Sequence, residues 1–116
     1  MVMKLEIVSN QYQGREYEVA ISCPEFTAVC PKTGQPDFGI IHITYTPDAD
    51  IIELKSLKLY LFSYRDKGIF HEHVTNKILD DLVAACSPIR CEVKGDFNVR
   101  GGIKTVVTAR YDKNSS

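Results

Sequence analysis

The feature that most limits what this chain can fold into is a change of hydrophobic period, made twice. Residues 15–22 alternate, with Tyr17, Val19 and Ile21 on one face and Glu16, Glu18 and Ala20 on the other. That is the pattern of a half-buried strand. Residues 38–46 are β-branched and aromatic, with Ile41, Ile43 and Tyr45 opposing Ile40, His42 and Thr44, so a second strand is predicted. Pro47-Asp48-Ala49-Asp50 reads as a turn with helix-capping residues. From Ile51 the spacing becomes helical: Ile51, Leu54, Leu57, Leu61 and Tyr64 form an inward stripe, and Lys55, Lys58 and Phe62 a second one. A further helix is predicted from about Phe70 to just before Pro88, with Val74, Ile78, Leu82 and Ala85 facing inward. Residues 89–99 and 103–111 return to alternation. Ile89, Cys91 and Val93 share a face, Gly95 suggests a bulge or bend, and Arg100-Gly101-Gly102 makes a tight connection. Residues 1–14 keep no clear period, and 113–116 are expected to fray. Strand, strand, helix, helix, strand, strand predicts an α+β domain: an antiparallel four-stranded sheet with two helices packed on one face.

Length and charge narrow the function. At 116 residues the chain reads as a single domain, 1–116, long enough for a modest core. Its formal net charge of −1 argues against non-specific nucleic-acid binding. No apolar run approaches membrane-spanning length, and the start MVMKLEIVSN lacks a signal peptide's apolar core, so the cytoplasm is the expected compartment. Cys23, Cys30, Cys86 and Cys91 are then expected to be reduced. A small sheet with exposed edges invites closed oligomers by strand pairing.

The chemistry-bearing stretch is 22–39, with two Cys-Pro pairs, a Thr-Gly turn and a Gln-Pro-Asp. It is too rich in proline and glycine for a central strand, and 23–37 is expected to be a structured loop. Cys30 and Asp37 are the candidate pair: a thiolate is a strong nucleophile, and a carboxylate across a turn can accept or donate the proton. A buried structural thiol is the plain alternative. Lys55 and Lys58 are either a solvated basic stripe or a phosphate site, and Arg100 either a surface turn residue or a phosphate clamp. His71 and His73 point in different directions on a helix, and Cys23 and Cys30 lie outside zinc-knuckle spacing, so no metal is expected. Glu72 either balances a helix N-terminus or accepts two hydrogen bonds from adjacent N–H groups of a guanine-type ring.

Four motifs occur together, in order: Cys-Pro-Glu-Phe-Thr-Ala-Val-Cys-Pro-Lys-Thr-Gly-Gln-Pro-Asp-Phe (23–38), Glu-Leu-Lys-Ser-Leu-Lys-Leu-Tyr (53–60), Phe-His-Glu (70–72) and Arg-Gly-Gly-Ile (100–103). From about Tyr17 to Ile103 this closely resembles the NADPH-dependent 7-cyano-7-deazaguanine reductases of queuosine biosynthesis, in their short single-domain form. The resemblance implies the tunnelling fold (T-fold), shared with GTP cyclohydrolase I and related pterin enzymes. It implies reduction of a nitrile to an aminomethyl group with two NADPH. Cys30 would form a covalent thioimide and Asp37 would protonate the nitrile nitrogen. It assigns Glu72, with His71 beside it, and Ile52, Glu53 and Leu54 to the substrate site. The helix bearing Lys55, Ser56 and Lys58, together with Arg100, is assigned to NADPH and its phosphates. Cys23 is left structural.

The resemblance also implies a homo-oligomer with sites between subunits, of the kind built from two stacked pentamers. The chain is shorter than many relatives at both ends. His73 and Val74 stand where some relatives carry a second cysteine that bridges to the nucleophile, so that protection is expected to be absent. Archaeal amidinotransferases act on the same nitrile carried in tRNA and keep the Cys and Asp, but lack the lysine-bearing helix that is intact here. A non-catalytic purine- or pterin-binding module and a zinc hydrolase are the remaining alternatives. The hydrolase is disfavoured for want of a well-spaced ligand set.

Overall fold

The computed structural model describes residues 4–115; 1–3 and 116 lie outside the described residues. The elements run β1 (Ile7–Ser9), β2 (Val19–Val29), β3 (Pro36–Thr46), β4 (Asp50–Ile52), α1 (Leu54–Phe62), α2 (His71–Cys86), β5 (Arg90–Arg100) and β6 (Ile103–Asp112). The four long strands form one antiparallel sheet in the order β2-β3-β5-β6. The alternating residues Ile41, Ile43, Tyr45, Cys91, Val93 and Phe97 point to the helix side and are nearly or fully buried. From α2 they meet Val74, Ile78 and Leu82, and from α1 Leu57 and Leu61, so both helices pack on one face.

Several expectations need correction. The loop expected over 23–37 shrinks to the turn between Val29 and Pro36, because β2 runs on through Cys23-Pro24. A register shift between Cys23 and Phe26 makes this possible. A bulge leaves residues unpaired, and β2 is an edge strand, so proline's missing N–H costs little. The bulge also reverses the alternation: Ile21 and Cys23 lean inward before it, Phe26 and Ala28 after it. The helix expected from Ile51 begins three residues later. Asp50–Ile52 instead pairs with Ile7–Ser9 in a separate two-stranded sheet that the first fourteen residues did not betray. The cap is Glu53, not the Pro47–Asp50 turn; its carboxylate accepts from the Lys55 and Ser56 amides, both at 2.7 Å. Leu54, expected inside, is exposed, whereas Tyr64 is buried beyond the helix end.

Gly95 sits in regular register, so it marks no bulge. A Cβ there would lie 2.6 Å from the Phe97 ring and 2.7 Å from Thr75 Oγ1, so glycine lets α2 close onto the sheet. The irregularity falls instead between Phe97 and Arg100. Beyond it Gly101 and Gly102 turn the chain at φ +60° and +81°, the backbone of a two-residue hairpin turn. The tail expected to fray is tied down as far as it is described: the Lys113 amide donates to Ile89 O at 2.9 Å, and Ser115 N to Asp112 O at 3.1 Å.

Candidate active site

The turn carrying Cys30 closes itself through its backbone. Cys30 N donates to Gln35 O at 2.9 Å and Gly34 N to Cys30 O at 2.8 Å, with Gly34 at φ +73°. Its root is anchored from the side. Val29 N donates to Lys67 O and Ile69 N to Val29 O, both at 3.0 Å, so the α1–α2 connection docks beside the turn. That docking delivers the first residue of α2, His71, to the same place.

Asp37 follows on β3, paired with Ala28 of β2, at the end of the core-facing row. It is 7% exposed, and a buried carboxylate needs partners. It has two. His71 Nε2 lies 3.3 Å from Oδ2, and the Arg100 guanidinium bonds Oδ1. The His71 ring is itself fixed, stacked on Phe97 with centroids 3.9 Å apart and planes 4° apart. Phe97 has room to lie there because its neighbours Gly39 and Gly95 carry no side chain; a Cβ on Gly39 would come within 3.1 Å of its ring.

The thiol of Cys30 is shifted toward its reactive form. Chiefly the Thr33 hydroxyl, then the Thr33 and Lys32 amides, hold its pKa below the usual thiol value, whereas the negative charge of Asp37 pushes the other way. Hydrogen-bond donors around a sulfur favour thiolate. Cys30 and the buried Asp37 therefore lie on either side of one short turn, with the thiol biased toward thiolate.

Arg100, expected to meet a phosphate, has its guanidinium engaged within the chain. Its terminal nitrogens donate to Pro36 O at 3.0 Å, Gln35 Oε1 at 2.5 Å, Thr33 Oγ1 at 3.3 Å and Asp37. Ser56, expected at the cofactor, is buried, with its hydroxyl donating to Glu53 O at 2.8 Å and accepting from Glu6 N at 2.9 Å. Glu53, expected beside the substrate, spends both carboxylate oxygens on capping α1, which holds its pKa below the ordinary value. Ile52 is buried and its amide donates to the Tyr45 hydroxyl at 3.0 Å. Lys55 and Lys58 are exposed and take part in no ion pair among the described residues. Glu72 is exposed on α2 next to His71.

These residues fall into two groups. Cys30, Asp37, His71 and Arg100 converge. Leu54 and Lys58 instead border a trough of about 420 Å³ between α1 and the outer edge of β2, against Cys23, Pro24 and Glu25. None of the four converging residues lines that trough. The sequence did not point to Thr33 and Gln35 as site residues, although both lie inside the Cys-Pro-Lys-Thr-Gly-Gln-Pro-Asp run; Phe97 carries no motif signal at all. Among the described residues no three His, Cys, Asp or Glu side chains gather as a metal site, and no helix is long and apolar enough to cross a membrane.

Residues 36–116 match the family model described as QueF-like protein. The NADPH-dependent 7-cyano-7-deazaguanine reductase of Syntrophus aciditrophicus is 60% identical over 110 residues, 95% of this chain and 79% of that one. The enzyme of the same name from Anaeromyxobacter dehalogenans is 62% identical over 107 residues, 92% of this chain and 88% of that one. The crystal structure of an archaeosine synthase QueF-Like in the apo form superposes with a TM-score of 0.75, at 24% identity, over 80% of this chain and 91% of that one. At that identity the likeness speaks for the fold, and the fold is the tunnelling fold.

Proposed function

The chain belongs to the QueF-like family of NADPH-dependent 7-cyano-7-deazaguanine reductases, and from that premise we propose that Cys30 captures the nitrile and Asp37 handles its proton. The enzyme reduces the nitrile of 7-cyano-7-deazaguanine to an aminomethyl group, the step that serves queuosine formation. The observation that carries the residue assignment is the buried Asp37, bracketed by His71 and Arg100, across a turn from a thiol whose pKa is lowered.

The Cys30 sulfur adds to the nitrile carbon, one C–N π bond opens, and the thiol proton passes by way of Asp37 to the nitrile nitrogen. The product is a thioimide, which splits a hard reduction into easier steps and holds the carbon in place. His71, clamped by Phe97, orients the Asp37 carboxyl throughout. Cys30 leaves as thiolate once the carbon has been reduced a first time, and takes its proton back when the site resets. Two NADPH, bound in turn, would supply one hydride each. The chain offers Lys55 and Lys58, exposed on one face of α1 and in no ion pair among the described residues, as point charges for the cofactor's phosphates. Glu72, exposed beside the site, accepts from the adjacent N–H groups of the guanine-like ring.

The separation of the Lys58 trough from the Cys30 site within one chain favours sites completed between subunits. So do the edge positions of β2 and β6 and the exposed Ile103 and Val106 on β6. The functional unit is accordingly a homo-oligomer of single-domain subunits acting in the cytoplasm on a free base. The test mixes the protein with the free nitrile base and follows NADPH absorbance. Two NADPH consumed per nitrile, and loss of both turnover and the covalent adduct in Cys30→Ala, are expected. An adduct that survives in Cys30→Ala sinks the assignment of the nucleophile, and full activity in a sedimenting monomer sinks the shared site.

A further inference from the structure

The catalytic turn is exposed and thinly tied. Residues 31–36 are all exposed, and within the turn two backbone hydrogen bonds, the Thr33 hydroxyl, which accepts from Gln35 N at 3.2 Å, and the donors around the Cys30 sulfur hold its shape. One side chain from elsewhere braces it. Arg100 arrives from the β5–β6 hairpin, sixty-three residues away in sequence from Asp37. The register shift after Phe97 reverses the alternation, so Arg100 joins the face on which Asp37 lies. Gly101 and Gly102 fix the turn behind it.

The guanidinium then spans the turn. One nitrogen bonds the Asp37 carboxylate and Pro36 O; the other bonds Gln35 and Thr33. Thr33 is also the main source of the lowered thiol pKa at Cys30. A single planar fork therefore touches both the proton-handling carboxylate and the residue that conditions the nucleophile. An ammonium group cannot reproduce that geometry. Withdrawing it to meet a phosphate would leave Asp37 buried with His71 alone.

On the assignment of Cys30 and Asp37 given above, we propose that Arg100 is a positioning residue for covalent capture, holding Asp37 and the Cys30 turn in register before any cofactor is present. NADPH-free adduct formation isolates this step. The wild type, Arg100→Ala and Arg100→Lys are mixed with the free nitrile base and the adduct is timed by intact mass. Arg100→Ala is expected to slow capture about 10- to 100-fold, the cost of a misplaced reacting group. Added guanidinium is expected to restore part of the rate, and Arg100→Lys to remain slower than wild type. NADPH affinity, measured by titration in a Cys30→Ala background, is expected to be unchanged by Arg100→Ala. If Arg100→Ala fails to fold by circular dichroism, Arg100→Lys carries the same comparison. Wild-type capture rates in the variants, with NADPH affinity lowered tenfold or more, would overturn the proposal and return Arg100 to the cofactor's phosphates. A wild-type protein that forms no adduct at all would fail at Cys30 itself, which keeps the two failures apart.

Discussion

Replacing Gly95 by alanine tests how closely the core and the active site are joined. An added Cβ would lie 2.6 and 2.8 Å from the Phe97 ring and 2.7 Å from Thr75 Oγ1. Phe97 is 1% exposed and Thr75 fully buried, so neither can swing into solvent. Thr75 is held further by its hydroxyl, which donates to His71 O at 2.8 Å. Reaching ordinary van der Waals contact at 3.4 Å requires the ring or α2 to move by about 0.8 Å. Overpacking of a filled core costs about 1–3 kcal/mol, and two blocked directions argue for the upper half of that range. Alanine's smaller unfolded-state entropy offsets about 0.4–1 kcal/mol. The net destabilisation is about 1–2.5 kcal/mol, or about 4–10 °C in Tm for a domain of this size. The displaced Phe97 ring is the one His71 stacks on, so nitrile capture should slow as well. Urea unfolding gives the stability term, and the double variant with Phe97→Leu, which vacates the contested space, should be less than additive. A Gly95→Ala protein within about 0.5 kcal/mol of wild type, with additive behaviour in the double variant, would refute the reasoning.

Further outcomes follow from the site. Asp37→Asn is expected to keep binding the nitrile base while turnover falls about 10²- to 10⁴-fold, the worth of a positioned acid–base group; turnover near wild type by NADPH absorbance removes its proton role. Lys55→Ala with Lys58→Ala should weaken NADPH binding about tenfold or more, each lost contact being a charge-assisted one. NADPH-free adduct formation should be unaffected, and an abolished adduct with intact cofactor affinity contradicts the assignment. Iodoacetamide at neutral pH should label Cys30 first, because burial pushes Cys86 up to about 11 and Cys91 up to about 12 and also raises Cys23. Thr33→Val should move the Cys30 labelling profile to higher pH, since its hydroxyl is the first cause of the lowered value; an unmoved profile rules that cause out. Glu53 has a folded pKa below its ordinary value, so its capping contribution is present above that value and is lost as pH falls through the lowered one. The stability gap between wild type and Glu53→Gln should therefore close on acidification, and a gap that persists in acid would show that the carboxylate charge is not its source.

How far the sequence alone reached can be seen residue by residue. Alternation and helical spacing record which side of an element is buried, and that is a local property. They separated the row Ile41–Ile43–Tyr45 from Ile40–His42–Thr44, marked Val74–Ile78–Leu82 as an inward stripe, and gave the strand–strand–helix–helix–strand–strand order of the main elements. The spacing within 23–38 also put a thiol and a carboxylate in one short segment. Two features hid from the local pattern. A bulge interrupts alternation without ending a strand, so Pro24 looked like the start of a loop when it lies within an edge strand. The pairing of Ile7–Ser9 with Asp50–Ile52 joins segments forty residues apart, too short to carry a period of their own.

What only the tertiary structure decided is which side chains meet. Cys30, Asp37, His71 and Arg100 come from a hairpin turn, a sheet strand, a helix start and a second hairpin. Their meeting depends on two register shifts that reverse the alternation, and on two glycines that let Phe97 lie flat beneath His71. Sequence determines how each element buries its own surface, because that energy is summed over neighbours along the chain. The partners of Asp37 are set by packing between elements, where one reversed row or one absent Cβ decides whether an arginine reaches a cofactor or a carboxylate.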